Sequence, residues 1–250
     1  MRSSKFIIVF ISLLTSIVAL VLSVLFTGLK DKHDENQVIF SKKSILLAIQ
    51  EELGDGSVLD MTNQEINELF DKNIEQLVVN SEGHILDKEA VEAKGYLGGL
   101  AEDVNLSKEK KKKETDRLLP LYIYKGKKDN PIYIVTLKGS GLWDEVSGNI
   151  AIDADLNTVV GASFDHVSET PGMGAEIKDN PNFRLRFKGK KIYDESGNYR
   201  SVKLVKGGVF TDPEHEVDGI TAATLTGVGV SKMLQNGIKS YEAYFKTLKK

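Results

Sequence analysis

The segment VDGITAATLTGVGV, residues 217–230, combines small side chains with hydroxyl groups at the start of a helical pattern. Asp218 is its only side chain that could act as an acid, a base or a metal ligand. A helix that begins near Thr226 leaves several backbone amides without acceptors, and these amides together with the helix dipole favour an anion. Alanine and glycine let a ligand approach the backbone closely. A phosphate group is therefore the natural ligand for such a segment. The alternative, which the spacing alone favours, is that the threonines only cap the helix and the glycines only shape a loop.

Two glycine-containing loops earlier in the chain offer further candidate groups. ETPGMGAE, residues 169–176, places glycines on both sides of Met173, which exposes backbone amides and one soft apolar side chain. GSGLWD, residues 139–144, carries Trp143, the only tryptophan. The GSGLWD loop lies between β-type segments and leads into no helix, so its glycines do not form a dinucleotide-binding fingerprint. Trp143 is accordingly either part of a ligand site or a core residue.

The composition excludes several kinds of chemistry. The chain contains no cysteine, which rules out disulfides, thiolate metal sites and thiol nucleophiles. The net charge is -3, which indicates no nucleic-acid partner, and the run KEKKKK at residues 108–113 is interpreted as a solvated face. A zinc hydrolase is disfavoured and no metal site is predicted, because no HxxxH or HExxH spacing occurs among the four histidines, His33, His84, His166 and His215.

An apolar, uncharged run from Phe6 to Phe26 is long enough to cross a bilayer as a helix. It exceeds the apolar region of a signal peptide and no small-residue cleavage site follows, so an uncleaved anchor is predicted. Arg2 and Lys5 precede the run, which places the N-terminus in the cytoplasm and the chain from about Leu29 outside.

Helical and β-type patterns follow the anchor. FSKKSILLAIQEEL, residues 40–53, predicts a helix with Ser41 as its N-cap. A second helix is predicted from the Thr62–Glu65 capping box and one apolar stripe. From Leu118 the apolar residues alternate with a period of two. This pattern predicts two antiparallel hairpins, with turns at residues 127–130 and 154–156, and a late strand over residues 200–208. The second helix's stripe comprises Ile66, Leu69, Phe70, Ile74 and Leu77, and that of a terminal helix comprises Val230, Leu234, Ile238, Tyr241, Phe245 and Leu248.

The chain resembles the C subunit of the sodium-translocating NADH:quinone oxidoreductase, a family with covalently held FMN. The resemblance lies in three motifs that follow one anchor in this order: GSGLWD, ETPGMGAEI and DGITAATLTGVGV. Residues 218–224 are similar to the D-x-x-[ST]-G-A-T acceptor sequence of flavin transferases. The resemblance implies that Thr224 is joined to FMN through a phosphoester. Ala222 stands where glycine is usual, Met173 replaces the usual leucine, and His166 lies one position from the expected histidine and receives no role.

The resemblance also implies the surroundings and partners of the flavin. An FAD:protein FMN transferase would attach the FMN, with Asp218 helping to recognise or orient the site. The chain would then pass electrons within the NADH-to-quinone complex of a bacterial inner membrane, with its flavin domain in the periplasm and other subunits and the membrane as partners, coupled to sodium export. The implied flavin environment is Leu142, Trp143, Glu169, Thr170, Met173 and Gly174, with Thr221, Ala222, Ala223 and Thr226 beside the acceptor.

These patterns together predict an α+β fold. Residues 1–30 form a single N-terminal transmembrane helix, residues 31–117 a helical and linker region, and residues 118–250 an antiparallel β-sheet FMN-binding domain with a C-terminal helix. Two alternatives stay open. One is the related G subunit of the Rnf electron-transport complex, which is shorter and lacks the helical insert of residues 41–77. The other is an anchored extracytoplasmic binding module without flavin.

Overall fold

The computed structural model of the protein describes residues 4–54, 56–126 and 130–249. Two compact units divide between Phe40 and Ser41. Helix α1 (Ser4–Ala48) is the one helix in the described ranges that is long and apolar enough to cross a membrane. The predicted functional boundaries after residues 30 and 117 stay predictions. Arg2 of the predicted topology signal and residues 127–129 of the first hairpin turn lie outside the described residues.

The first predicted helix boundary is wrong. Ser41 does not cap a new helix, because α1 continues through it to Ala48. Residues 27–41 contain no proline, so nothing in the backbone interrupts the helical hydrogen bonds after the apolar run. Of the apolar positions predicted for this helix, Ile45, Leu46 and Ile49 are buried, whereas Leu53 is half-buried and lies beyond the helix end.

Helix α2 (Asn63–Asn73) begins as predicted and ends earlier than predicted. In its capping box the Thr62 amide donates to Glu65 Oε2 at 2.7 Å, and the Glu65 amide donates to Thr62 Oγ1 at 3.3 Å. The apolar stripe predicted for this helix ran to Leu77, but the helix ends before Ile74, which is the first residue of strand β1 (Ile74–Asn80). Pairing along a neighbouring strand outweighs local helix propensity there. Three short elements follow: β2 (Ile85–Leu86), α3 (Lys88–Ala93) and α4 (Leu106–Glu109).

A six-stranded antiparallel sheet forms the centre of the second unit, with the order β2-β1-β3-β4-β5-β6. The two predicted hairpins are confirmed. In the first, Leu121 pairs with Val135 and Tyr124 with Ile132; in the second, Val146 pairs with His166. The four hairpin strands are β3 (Leu118–Tyr124), β4 (Ile132–Ser140), β5 (Glu145–Ile152) and β6 (Val159–His166).

The remaining chain forms short helices, a separate two-stranded sheet and the terminal helices. The predicted late strand is shortened to β7 (Lys203–Val205), which pairs in parallel with β8 (Glu216–Asp218). The terminal helix begins at Thr224, two residues before the predicted start, and is divided at Tyr241. The helices are α5 (Glu176–Asp179), α6 (Pro181–Leu185), α7 (Thr224–Ser240) and α8 (Glu242–Leu248). The predicted α+β class, with an N-terminal apolar helix, an antiparallel sheet and a C-terminal helix, is confirmed.

Glycines let α7 pack closely on β4. A Cβ atom at Gly229 would lie 2.2 Å from the carbonyl oxygen of Ser140, and one at Gly237 would lie 2.7 Å from Leu137 Cδ2. The same holds from the strand side, where a Cβ at Gly139 would lie 2.6 Å from Met233 Cβ. Part of the small-residue pattern is therefore structural, because it sets the distance between the helix and the sheet.

We expect Gly229→Ala to lower the free energy of unfolding by about 1–3 kcal/mol, because the added methyl group must displace a backbone carbonyl rather than a side chain. Gly227→Ala on the same helix is the matched control. Its Cβ would make an ordinary contact, 3.6 Å from Leu204 Cδ2. That variant should gain stability by about 0.5–1 kcal/mol through helix propensity. Urea unfolding followed by circular dichroism measures both, and equal stabilities would contradict the packing argument.

Candidate functional site

The start of α7 presents a hydroxyl group beside unpaired amides. Thr224 is the first helical residue, and Ala223 at the N-cap provides no side-chain hydrogen bond. The first backbone bond of the helix runs from the Gly227 amide to the Ala223 carbonyl at 2.9 Å. Thr224 is exposed, and within the described part of the chain its hydroxyl has no hydrogen-bond partner. An uncapped helix start of this kind favours a negatively charged group.

The three threonines of the segment differ in accessibility. Thr221 and Thr224 are exposed, whereas Thr226 is 1% exposed. Thr226 Oγ1 donates a hydrogen bond to Glu169 Oε2 at 2.5 Å. The Thr226 hydroxyl is therefore committed to an internal contact, and only the other two are available to a ligand.

The Glu169 carboxylate joins both glycine-containing loops to the start of α7. Its Oε1 accepts hydrogen bonds from the amides of Leu142 at 2.8 Å and Trp143 at 3.0 Å, while Oε2 accepts from Thr226. Burial alone raises the pKa of Glu169, but these hydrogen bonds outweigh it and hold the pKa below the usual value for glutamate. The carboxylate is thus ionised, buried and bonded to two other segments of the chain.

Two glycines make room for this carboxylate. A Cβ at Gly141 would lie 2.4 Å from Glu169 Oε1, and a Cβ at Gly174 would lie 2.4 Å from Oε2 and 2.6 Å from Thr226 Oγ1. Gly141 and Gly174 therefore allow the close approach of the Glu169 side chain. Two amides that the turn was predicted to expose are instead paired within it, because the Met173 and Ala175 amides both donate to the Thr170 carbonyl at 3.1 Å.

An apolar group of side chains stands at the surface of these loops. Trp143 is 68% exposed, which rules out the alternative that it is a core residue. Its indole N–H donates to Thr170 Oγ1 at 3.2 Å, so the two loops are also linked at the surface. Leu142 and Met173 are exposed as well. The structure thus brings together Leu142, Trp143, Glu169, Thr170, Met173, Gly174 and Thr226.

A second network holds the segment before Thr224. Arg186 Nη1 donates to the carbonyl oxygens of Asp218 at 2.8 Å and Gly219 at 2.9 Å, and it lies 3.9 Å from Asp218 Oδ2. Ala222 adopts a φ of +62°, a left-handed conformation that favours glycine. The motif from Asp218 to Thr224 is therefore anchored at its first residue and sterically strained near its centre.

Sequence reasoning missed two residues of this site. Arg186 lies in the basic stretch FRLRFKGK, which gives no indication that one arginine binds a distant turn. His166 received no role, yet its Nδ1 accepts a hydrogen bond from the Glu169 amide at 3.2 Å. Its proximity in sequence to Glu169 was the one available signal. Within the described residues, no group of three or more His, Cys, Asp or Glu side chains could hold a metal ion.

Replacing Glu169 by Gln should destabilise the protein by about 1–3 kcal/mol at neutral pH, because charge-assisted hydrogen bonds become neutral ones. The folded-state pKa of Glu169 is lowered. Its contribution is therefore present above the unfolded-state pKa and is lost as the pH falls through the folded-state value. The unfolding free energy of the variant should fall less steeply than that of the parent as the pH is lowered. The exposed control Glu195→Gln should show the same pH dependence as the parent. The same pH dependence in Glu169→Gln as in the parent would show that the Glu169 carboxylate does not stabilise the fold in this way.

Comparisons with known proteins identify the family of this chain. A model of the FMN-binding domain family matches residues 141–239, which contain residues 141–144 of the GSGLWD loop, the whole loop of residues 169–176 and the start of α7. The C subunit of the Na(+)-translocating NADH-quinone reductase from Vibrio anguillarum is 32% identical over 235 residues, covering 92% of this chain and 87% of that protein. The corresponding Pseudomonas aeruginosa protein is 33% identical over 264 residues, covering 95% of each.

A solved structure extends the similarity to the fold. The crystal structure of the C subunit of this reductase from Parabacteroides distasonis has a TM-score of 0.71 and 31% identity, covering 86% of this chain and 96% of that chain. The similarity in sequence spans nearly the whole chain, so it includes the apolar helix as well as the sheet domain. The chain belongs to the family of the Na(+)-translocating NADH-quinone reductase C subunits.

Proposed function

We propose that this chain is an electron-carrying subunit of a membrane complex that transfers electrons from NADH to quinone and exports sodium, and that it holds FMN through a phosphoester on Thr224. The observation that carries the proposal is the exposed Thr224 hydroxyl at an uncapped helix start, which has no hydrogen-bond partner among the described residues. The family membership and the matched FMN-binding domain support it.

The residues at the start of α7 fit a phosphate group. Free amides and the helix dipole stabilise negative charge there without any basic side chain. Ala223 is small and Thr221 is exposed, so neither blocks access to Thr224. Thr226 points into the Glu169 contact and holds the first turn in place rather than competing as an acceptor.

The surface of the two loops fits an aromatic ring system. Leu142, Trp143 and Met173 offer exposed apolar surface, and apolar and aromatic side chains are the usual lining of cofactor sites. The Trp143–Thr170 hydrogen bond fixes the indole relative to the loop of residues 169–176. FMN, when bound, supplies the redox chemistry, and these residues bind it, orient it and limit its contact with water.

The Asp218 turn suits recognition by a maturation enzyme. We infer that an FAD:protein FMN transferase reads the motif from Asp218 to Thr224. The bonds from Arg186 to the Asp218 and Gly219 carbonyls hold the motif in one conformation, and the Asp218 carboxylate stays partly exposed. Arg186 is therefore a positioning residue for the acceptor segment.

The anchor gives the proposed location. Helix α1 has the length and composition of a membrane span, and the positive charges before its apolar run favour an N-terminus in the cytoplasm. The flavin domain then lies on the periplasmic side of a bacterial inner membrane. A covalent bond is useful there, because a lost cofactor is not replaced from the cytoplasm.

We expect Thr224→Ala to lose all covalent flavin, because no other hydroxyl has the same position at the helix start. Protein purified from its native cells should carry the mass of one FMN less one water, and the variant should carry the mass of the bare chain. Thr221→Ala should keep the added mass. Thr226→Ala should keep it too while unfolding more easily, because the bond to Glu169 is lost. Added mass on the Thr224→Ala chain would place the attachment elsewhere, and an unmodified parent chain would favour the binding-module alternative.

Ala222→Gly should raise the free energy of unfolding by up to about 1 kcal/mol, because glycine relieves the left-handed strain at this position. The gain is partly offset by the greater freedom of glycine in the unfolded chain. Ala175→Gly, a buried position without positive φ, should instead lose stability. Thermal unfolding of the two variants tests the assignment, which fails if Ala222→Gly is the less stable variant.

A further inference from the structure

A cleft of about 500 Å³ lies beside α7 and contains none of the residues proposed to surround the flavin. Its lining comes from α7 between Gly229 and Tyr241, from residues 136–140 of β4, and from residues 106–117. From the lysine-rich run that the sequence indicated as a solvated face, Glu109 and Lys110 line the cleft. This volume lies in the range of ligand-binding sites.

Among the described residues, two ammonium groups in the lining have no carboxylate at ion-pair distance. Lys232 has no ion pair within the described ranges, and Lys110 Nζ lies 3.4 Å from the Ser140 hydroxyl. Glu145 attracts Lys110 only at longer range, and its carboxylate is already occupied by Lys138, whose Nζ lies 2.8 Å from Glu145 Oε2. The chain as a whole carries a charge of -3, so the excess positive charge is a local property of this cleft.

The carboxylates of the cleft do not offset this charge. Glu109 is 1% exposed and lies 2.6 Å from Lys112 Nζ, and it also accepts hydrogen bonds from Tyr96 and the Leu118 amide. It is therefore satisfied inside the protein. Glu114 lies 3.9 Å from Arg117, whose own positive charge balances it.

The shape and the surroundings of the cleft indicate the size of its ligand. The lining of α7 from Gly229 to Tyr241 corresponds to about 18 Å at the rise of an α-helix. An extended chain of about five residues spans that length. Lys108, Lys111 and Lys113 are exposed beside the lined segment, so the positive surface continues past the cleft. A single small anion would leave most of these charges unused.

We propose that this cleft binds an acidic, extended segment of a partner subunit. Carboxylates of the segment pair with Lys110 and Lys232, and apolar side chains between them contact Leu106 and Met233 in the lining. The inference rests on the proposed membership in a multi-subunit complex. Charge complementarity of this type sets the register and rate of association, and a desolvated pair also slows dissociation.

The test uses the intact complex and a carbodiimide that joins amines directly to touching carboxylates. Lys110 and Lys232 should crosslink to Asp or Glu residues of another subunit. Both should also resist acetylation in the complex and react in the isolated full-length chain. Lys72 and Lys94, which are exposed outside the cleft, serve as controls and should be acetylated in both states. Equal acetylation of Lys110 and Lys232 in the two states would overturn the proposal, as would protection without any crosslink to protein, the result expected for a lipid or nucleic acid.

A charge-neutralising pair of variants gives an independent measurement. Lys110→Gln with Lys232→Gln should release the partner subunits at a several-fold lower salt concentration than Lys72→Gln with Lys94→Gln, while the FMN mass on Thr224 is unchanged. Identical salt release of the two double variants contradicts the cleft proposal alone. A parent chain that purifies with no other subunit, or without FMN, contradicts the proposed function instead.

Discussion

The buried carboxylate of Glu169 is the interaction on which the site depends. Burial of an isolated carboxylate is costly, so this side chain is stable only while the amides of Leu142 and Trp143 and the hydroxyl of Thr226 all donate to it. Those donors come from a strand-connecting loop and from the start of α7, which are far apart in sequence. The requirement to satisfy one charge therefore fixes three segments relative to one another, and Gly141 and Gly174 are glycines because the carboxylate occupies the space of their side chains.

The small-residue segment serves packing and chemistry at different positions. Gly229 and Gly237 bring α7 against β4, where a side chain would meet Ser140 and Leu137. Ala222, in the turn before α7, and Thr224, the first residue of α7, are exposed and leave the helix start open. The packing role therefore belongs to the glycines within the helix, and the proposed phosphate site belongs to the residues at its start. Close packing of the helix also holds its first turn in a constant place beside the Glu169 contact.

The sequence predicted what is decided locally. The hairpins, the Thr62–Glu65 capping box and the presence of a terminal helix depend on neighbours in the chain, and the structure confirms them. The strand beginning at Ile74 was predicted as helix because Ile74 pairs with Tyr124, which is distant in the sequence, and local periodicity carries no information about such a partner. The site shows the same difference between local and distant contacts. Its two loops were predicted from their glycines. The Thr226 bond to Glu169 and the Arg186 bonds to the Asp218 turn could not be predicted, because they join residues that are distant in the sequence.

Helix phase distinguishes the proposed acceptor from its neighbour. Thr224 and Thr226 have the same side chain and lie two residues apart, which is a rotation of about 200° around a helix. If the first faces solvent, the second must face the protein, and Thr226 is indeed buried against Glu169. The chemical reactivity of the two hydroxyls therefore need not differ, because the rotation of α7 decides which one the proposed transferase can reach. The contacts that fix the rotation of α7, among them the Thr226 bond to Glu169, therefore also determine the proposed site of attachment.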